Sequence, residues 1–130
     1  MDAATLGHMR ILVVDDEPDS IEVVKIVLST TGAQIMDAND GRQGFETYIR
    51  ECPDIVLTDL SMPDTDGWQL LEKIRASEYD EKRTPVIALT AHAMAGDKEK
   101  VIDAGFDGYL SKPLKMFTFL DDLKHWLEKI

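Results

Sequence analysis

A chain of 130 residues, 44% of them apolar, can build one core of ordinary size and has no room for a second. Its 14 Lys and Arg stand against 25 Asp and Glu, a formal charge of -11 that sets most of the surface against phosphate backbones and anionic membranes, so no direct nucleic-acid partner is expected. No apolar run is long enough to cross a bilayer, no basic-then-apolar leader opens the chain, and the lone Cys52 excludes an internal disulfide, so a cytoplasmic protein without membrane insertion is expected.

Residues 1 to 9 carry no periodicity, and Gly7-His8-Met9 has the look of a cloning scar, so 1–9 is expected to be a tag remnant or disordered and 10–130 the domain. Ile11 to Val14 is a continuous apolar run of strand length, and Pro18 after an acidic stretch opens a helix carrying Ile21, Val24 and Leu28, which Gly32 closes. Ile35 to Ala38 is the second strand; Phe45, Tyr48, Ile49 and Cys52 then recur at helical spacing, which predicts a buried, inert thiol at Cys52. Ile55 to Thr58 is followed by a helix with Leu70, Leu71 and Ile74, and Val86 to Leu89 by one with Met94, Val101 and Ile102, closed by Gly105. A weaker strand at Tyr109-Leu110 precedes a last helix with Leu120, Leu123, Leu127 and Ile130. The runs near 12, 56 and 87 do not alternate, as befits parallel strands covered on both faces. Strict alternation of strand and helix predicts a doubly wound α/β fold, a five-stranded parallel sheet with five helices.

Open sheets of this kind bind ligands beyond the carboxyl ends of their strands. The residues there are Asp15, Asp16 and Glu17 after the first strand, Asp59 after the third, Thr90 after the fourth and Lys112 after the fifth. With strand order 2-1-3-4-5, the flavodoxin-like arrangement, the first and third strands are neighbours and their carboxylates meet. Carboxylates crowded together repel unless a cation or proton compensates, and without a His or Cys cluster the fitting ion is a hard one such as magnesium. Asp59 beside it has the chemistry of an oxygen nucleophile toward phosphorus, and the Lys112 ammonium and Thr90 hydroxyl that of groups stabilising the transferred oxygens.

The stretches ILVVDDE, DIVLTDLSMPDTDGWQLL, PVIALTAHA and GYLSKPL, in that order and spacing, make the chain from about Arg10 to Ile130 resemble the receiver domain of two-component response regulators. The resemblance implies that Asp59 is the phosphoacceptor, that Asp16 binds magnesium directly with Asp15 assisting through water, and that the Ser61 carbonyl is a further ligand. It implies that Thr90 hydrogen-bonds the phosphoryl group, that Lys112 pairs with it, that Tyr109 is the aromatic that turns inward when Thr90 moves, and that the Lys112-Pro113 bond is cis. The resemblance also implies that Ser61 and His92 fall at positions that vary in the family and tune the life of the phosphoryl group. The stretch TAHAMAGD is similar to receivers of hybrid kinases and of small free-standing regulators.

Plainer readings exist for each residue. Asp15 and Asp16 could cap a helix, Asp59 could form a turn before Pro63, Thr90 could open a helix and Lys112 could be a surface lysine. Asp64 to Gly67 reads as a turn and cap, Asp37 to Gly41 lacks the glycine position and final acid of a calcium loop, and Ser29 to Gly32 closes a helix rather than cradling a phosphate. His92 and His125 read as surface or partner-facing groups, and Trp68, Trp126 and Phe117 as packing residues.

The expected function is a signalling switch rather than an enzyme in the ordinary sense: phosphorylated from a histidine kinase or phosphotransfer protein, losing the group slowly, and read by a downstream protein target. With no residues after Ile130 to supply an output domain, the output is expected to be protein contact. The alternatives are a receiver excised from a hybrid histidine kinase or larger regulator, an aspartate-nucleophile phosphohydrolase using Asp59 and Asp66, and an interaction module that ignores phosphorylation.

Overall fold

The computed structural model describes residues 6–80, 83–91 and 95–130, with Ala95 and Gly96 described by their backbone alone. Strand and helix alternate: β1 (Arg10–Val14), α1 (Pro18–Ser29), β2 (Gln34–Ala38), α2 (Gly41–Glu51), β3 (Ile55–Asp59), α3 (Gly67–Ala76), β4 (Val86–Thr90), α4 (Ala95–Asp103), β5 (Gly108–Ser111) and α5 (Met116–Leu127). All four pairings are parallel, in the order β2-β1-β3-β4-β5, with Val14 opposite Thr58 and Asp59 opposite Leu89.

Successive side chains of a strand point to opposite faces, and here each face has its own core. Ile11, Val13, Ile55, Leu57, Ile87 and Leu89 pack beneath α1 and α5, against Val24, Leu28, Phe119 and Leu123. Leu12, Val14, Val56, Val86 and Ala88 pack beneath α2, α3 and α4, against Tyr48, Leu70, Ile74 and Val101. The central strands are apolar at every step from Ile11 to Val14 because neither face meets water. The same alternation ends at the strand tips, where the chain leaves both cores and turns polar.

The helix ends follow from local chemistry. Pro18 starts α1, where its missing N–H costs nothing. Asp40 caps α2 by accepting the Gln43 N–H at 2.8 Å, and Asp66 and Gln69 form a reciprocal capping box on α3, as the turn-and-cap reading of Asp64 to Gly67 expected. Gly32 and Gly105 close α1 and α4 at φ of 87° and 108°, backbone conformations that disfavour a side chain.

Several expectations need correction. Cys52 is exposed: α2 ends at Glu51, and Cys52 leaves the helix in the left-handed region at φ 46°, which turns its thiol off the apolar stripe. Phe117 is 97% exposed on the outer side of α5, while Phe119, two residues on, is the ring that packs beneath the sheet. Ile102 and Ile130 are exposed as well, α5 having ended before Ile130. Leu6 is wholly buried beside the α1 and α5 core. His92 and Met94 lie outside the described residues. Trp68 does pack, edge-on to Phe106 at 5.5 Å, and no described helix is long and apolar enough to cross a membrane.

The contrast between the two rings is measurable. Phe119→Ala leaves a core cavity and should cost about 3–5 kcal/mol in urea unfolding, whereas Phe117→Ala should change stability by less than about 0.5 kcal/mol.

Candidate functional site

Each parallel strand delivers its carboxyl end to the same rim. Asp15 and Asp16 follow β1, Asp59 ends β3, Thr90 ends β4 and Lys112 follows β5. The residues singled out in the sequence converge here: a pocket of about 200 Å³ is lined by Asp16, Asp59, Ser61, Thr90 and Lys112, together with Glu17. Tyr109 stands apart from it, half-buried, with its ring 4.8 Å from that of Trp126 and the Lys98 ammonium 5.4 Å away.

Local backbone contacts hold the Asp59 carboxylate in place. Asp59 Oδ1 accepts the Ser61 N–H at 3.3 Å, and the Gly67 N–H donates to the Leu60 carbonyl at 3.1 Å. A Cβ on Gly67 would collide with the Asp59 carbonyl, so only glycine lets α3 start this close to the end of β3. Gly41 is closed in likewise against the Thr65 carbonyl, to which its N–H donates at 3.1 Å, tying the start of α2 to the loop after Asp59. The sequence reading assigned neither glycine a part in the site. Gly67 lies in the quoted motif, but its need for close approach is visible only once α3 is seen against β3.

The electrostatics are lopsided. Asp15, Asp16, Glu17 and Asp59 each offer a carboxylate oxygen within 4.8 Å of the others, with Asp15 and Asp59 buried and the other two exposed. The cation among them is Lys112, its side chain 7% exposed, with Nζ at 2.8 Å from Asp15 Oδ2, 3.0 Å from Glu17 Oε1 and 3.3 Å from Asp59 Oδ2. Asp15 Oδ1 meanwhile accepts the Glu17 N–H at 2.9 Å, a turn contact ahead of α1 rather than a cap on it, while its Oδ2 stays with the ammonium. Glu17 was noted in the sequence only as part of the acidic run, and its bond to Lys112 spans 95 positions of the chain.

Burial pushes the Asp59 carboxyl up to about 6, helped by the field of Asp15 and opposed by Lys112 and the Ser61 N–H. For Lys112, burial works against the charge, but the hydrogen bonds to Asp15 and Glu17 and the fields of Asp15 and Asp59 outweigh it and hold the ammonium above the ordinary lysine range. Among the described residues, four carboxylates against one ammonium form an oxygen donor set with uncompensated negative charge, which fits a hard divalent cation.

Other acidic groups are treated differently. Asp80 and Asp107, also nearly buried, lie toward the opposite end of the sheet, where Arg75 bridges them at 3.1 and 3.0 Å and Arg83 adds a second cation on Asp107 at 2.8 Å. Those charges are matched pair by pair. Asp66 is engaged as the α3 cap, its Oδ1 holding the Gln69 N–H at 2.9 Å, so it does not stand as a second acid beside Asp59.

The comparisons with known proteins agree with this geometry. The response regulator receiver domain family model matches residues 11–124. The chain is 39% identical over 107 residues to the sensor protein GacS of Pseudomonas syringae pv. syringae, covering 81% of this chain and 12% of that protein. The chain thus spans about an eighth of the length of that relative. Among solved structures, the chemotaxis response regulator CheY4 of Vibrio cholerae superposes with a TM-score of 0.83 at 26% identity, over 91% of this chain and 98% of that one. The receiver domain of sensor histidine kinase PA1611 from Pseudomonas aeruginosa PAO1, solved with a magnesium ion coordinated in its active site cleft, gives 0.79 at 35% identity, over 92% and 98%.

The raised Asp59 value has a definite sign. Between about pH 4, where an unfolded carboxyl ionises, and about 6, the folded protein keeps a proton that the unfolded chain has lost, so stability falls as pH rises through that window. In buffer free of divalent cations, Asp59→Asn should therefore gain stability over the parent protein from pH 4 to 6 and hold a constant advantage above it. Urea midpoints across pH measure this, and an advantage independent of pH would contradict it.

Proposed function

The chain belongs to the response regulator receiver domain family, and we propose that within it Asp59 is the residue that takes the phosphoryl group. The observation that carries this is the meeting, at one rim, of a buried Asp59 carboxylate with two further aspartates and the Lys112 ammonium. Asp59 Oδ attacks the phosphorus of a phosphohistidine on a histidine kinase or phosphotransfer protein. An O–P bond forms as the P–N bond breaks, and the bonding pair returns to the imidazole, which takes a proton from solvent. With its carboxyl at about 6, Asp59 is mostly ionised near neutral pH, and burial leaves it poorly hydrated.

Asp15, Asp16, Asp59 and the Ser61 carbonyl are the residues that would hold magnesium. When bound, that ion neutralises the carboxylates and the oxygens of the transferred group. Lys112, already within 3.3 Å of Asp59, pairs with a phosphoryl oxygen, and Thr90 donates its hydroxyl to another. That hydroxyl contact frees the space into which Tyr109 turns from Trp126. The change reshapes the face of α4, β5 and α5 that a downstream protein target reads. Such a switch works in the cytoplasm, where phosphohistidine donors and magnesium are found, either by itself or as a module of a larger sensor kinase. Its chemistry is one stable modification followed by slow hydrolysis. The phosphohydrolase reading is disfavoured by the engagement of Asp66 in the α3 cap.

Incubation with acetyl phosphate and magnesium should add one phosphoryl mass, and Asp59→Asn should add none; labelling that survives the substitution removes Asp59 from the role. In a magnesium titration, Asp16→Ala should weaken binding at least about tenfold, as expected for loss of a charged ligand. Asp66→Ala should leave affinity unchanged while costing about 1 kcal/mol of stability through the lost cap.

A further inference from the structure

Lys112 has three carboxylate partners, and they are not alike. Asp15 and Asp59 are buried on the strand tips, whereas the Glu17 side chain is 61% exposed. Glu17 occupies the position just before α1, where an acidic side chain ordinarily turns back onto the first-turn N–H groups, yet it makes no capping hydrogen bond. Its carboxylate reaches instead across the pocket mouth to Lys112 Nζ at 3.0 Å. Its backbone is anchored at the same time, the Glu17 N–H donating to Asp15 Oδ1 at 2.9 Å.

We propose that Glu17 is a positioning residue that tethers the Lys112 ammonium in the unphosphorylated protein and must release it for Lys112 to follow the phosphoryl oxygens. The inference rests on Asp59 as phosphoacceptor. Among the three partners, Glu17 is the one that can let go cheaply, because its carboxylate passes into water, whereas Asp15 cannot leave its buried place. A phosphoryl group on Asp59 adds anionic oxygens beside the ammonium, and these compete with the Glu17 carboxylate for the same N–H donors, the more so because Lys112 already lies 3.3 Å from Asp59 Oδ2.

The tether stabilises only the state before transfer. Its removal speeds the step that leaves that state and has little effect on hydrolysis of the phosphorylated protein, in which the contact is already broken. A half-exposed ion pair is worth up to about 1 kcal/mol, which converts to a rate gain of about two- to fivefold.

The experiment measures phosphorylation by phosphoramidate with magnesium, at donor concentrations where rate is proportional to donor, and loss of the group after donor removal, both by mass spectrometry. Glu17→Gln removes the charge. Glu17→Asp keeps the charge but shortens the reach by one methylene. Asp19→Asn removes an exposed charge of the first turn of α1 that is not among the ion-pair partners of Lys112. Expected are two- to fivefold faster phosphorylation in both Glu17 variants, the parent rate in Asp19→Asn, and loss rates within about twofold of the parent in all three. Unchanged phosphorylation in both Glu17 variants overturns the tether. So does a gain shared by Glu17→Gln and Asp19→Asn but absent from Glu17→Asp, since that pattern is bulk charge acting on an anionic donor. Equal acceleration of phosphorylation and loss overturns it too. If the parent protein takes up no phosphoryl group at all, the failure lies with Asp59 as acceptor and not with Glu17.

Discussion

Gathering like charges at one rim is the constraint on which the rest of this structure depends. Four carboxylates come within 4.8 Å of one another with, among the described residues, a single ammonium between them, and two of the four are buried. Such a cluster is unfavourable in isolation, and it persists because the sheet holds the strand tips together whatever the charges do. Val14 opposite Thr58 and Asp59 opposite Leu89 are register positions set by two apolar cores, and the carboxylates extend from them. Apolar packing thus maintains an electrostatic arrangement that the side chains alone would abandon.

The contrast between the two ends of the sheet sharpens this point. Asp80 and Asp107 are as well buried as Asp59, but Arg75 and Arg83 meet them with planar guanidinium groups, and Asp107 also accepts the Val86 N–H at 2.9 Å. That end is satisfied and braces the loops between strands. The opposite end is left short of positive charge, with a pocket lined by Asp16, Glu17 and Asp59 open to solvent and the Asp59 carboxyl lifted to about 6. An excess of charge that a cation or a bound oxyanion can rearrange is what a switch needs, since each changes the balance of forces on Lys112 and Thr90.

Much of this was legible in the chain. Unbroken apolar runs at Ile11 to Val14, Ile55 to Thr58 and Val86 to Leu89 announce buried parallel strands, and polar residues directly after them announce the rim. Where helical spacing was read without regard to where a helix stops, the reading failed. Cys52 lies one residue past the end of α2, and its left-handed backbone turns it into solvent. Phe117 and Phe119 are both aromatic, and only the rotation of α5 about its axis decides which one enters the core.

The sequence by itself determined the alternation of strand and helix, the rim residues Asp15, Asp16, Asp59, Thr90 and Lys112, and the excess of negative charge, because period and composition are local properties. Tertiary structure alone decided that Glu17 reaches Lys112 across 95 positions, that Gly67 must lack a Cβ beside the Asp59 carbonyl, and that Asp80 and Asp107 have cations of their own while the rim acids share one. These depend on distances between segments remote in the chain, and such distances arise only when the two cores close on the sheet.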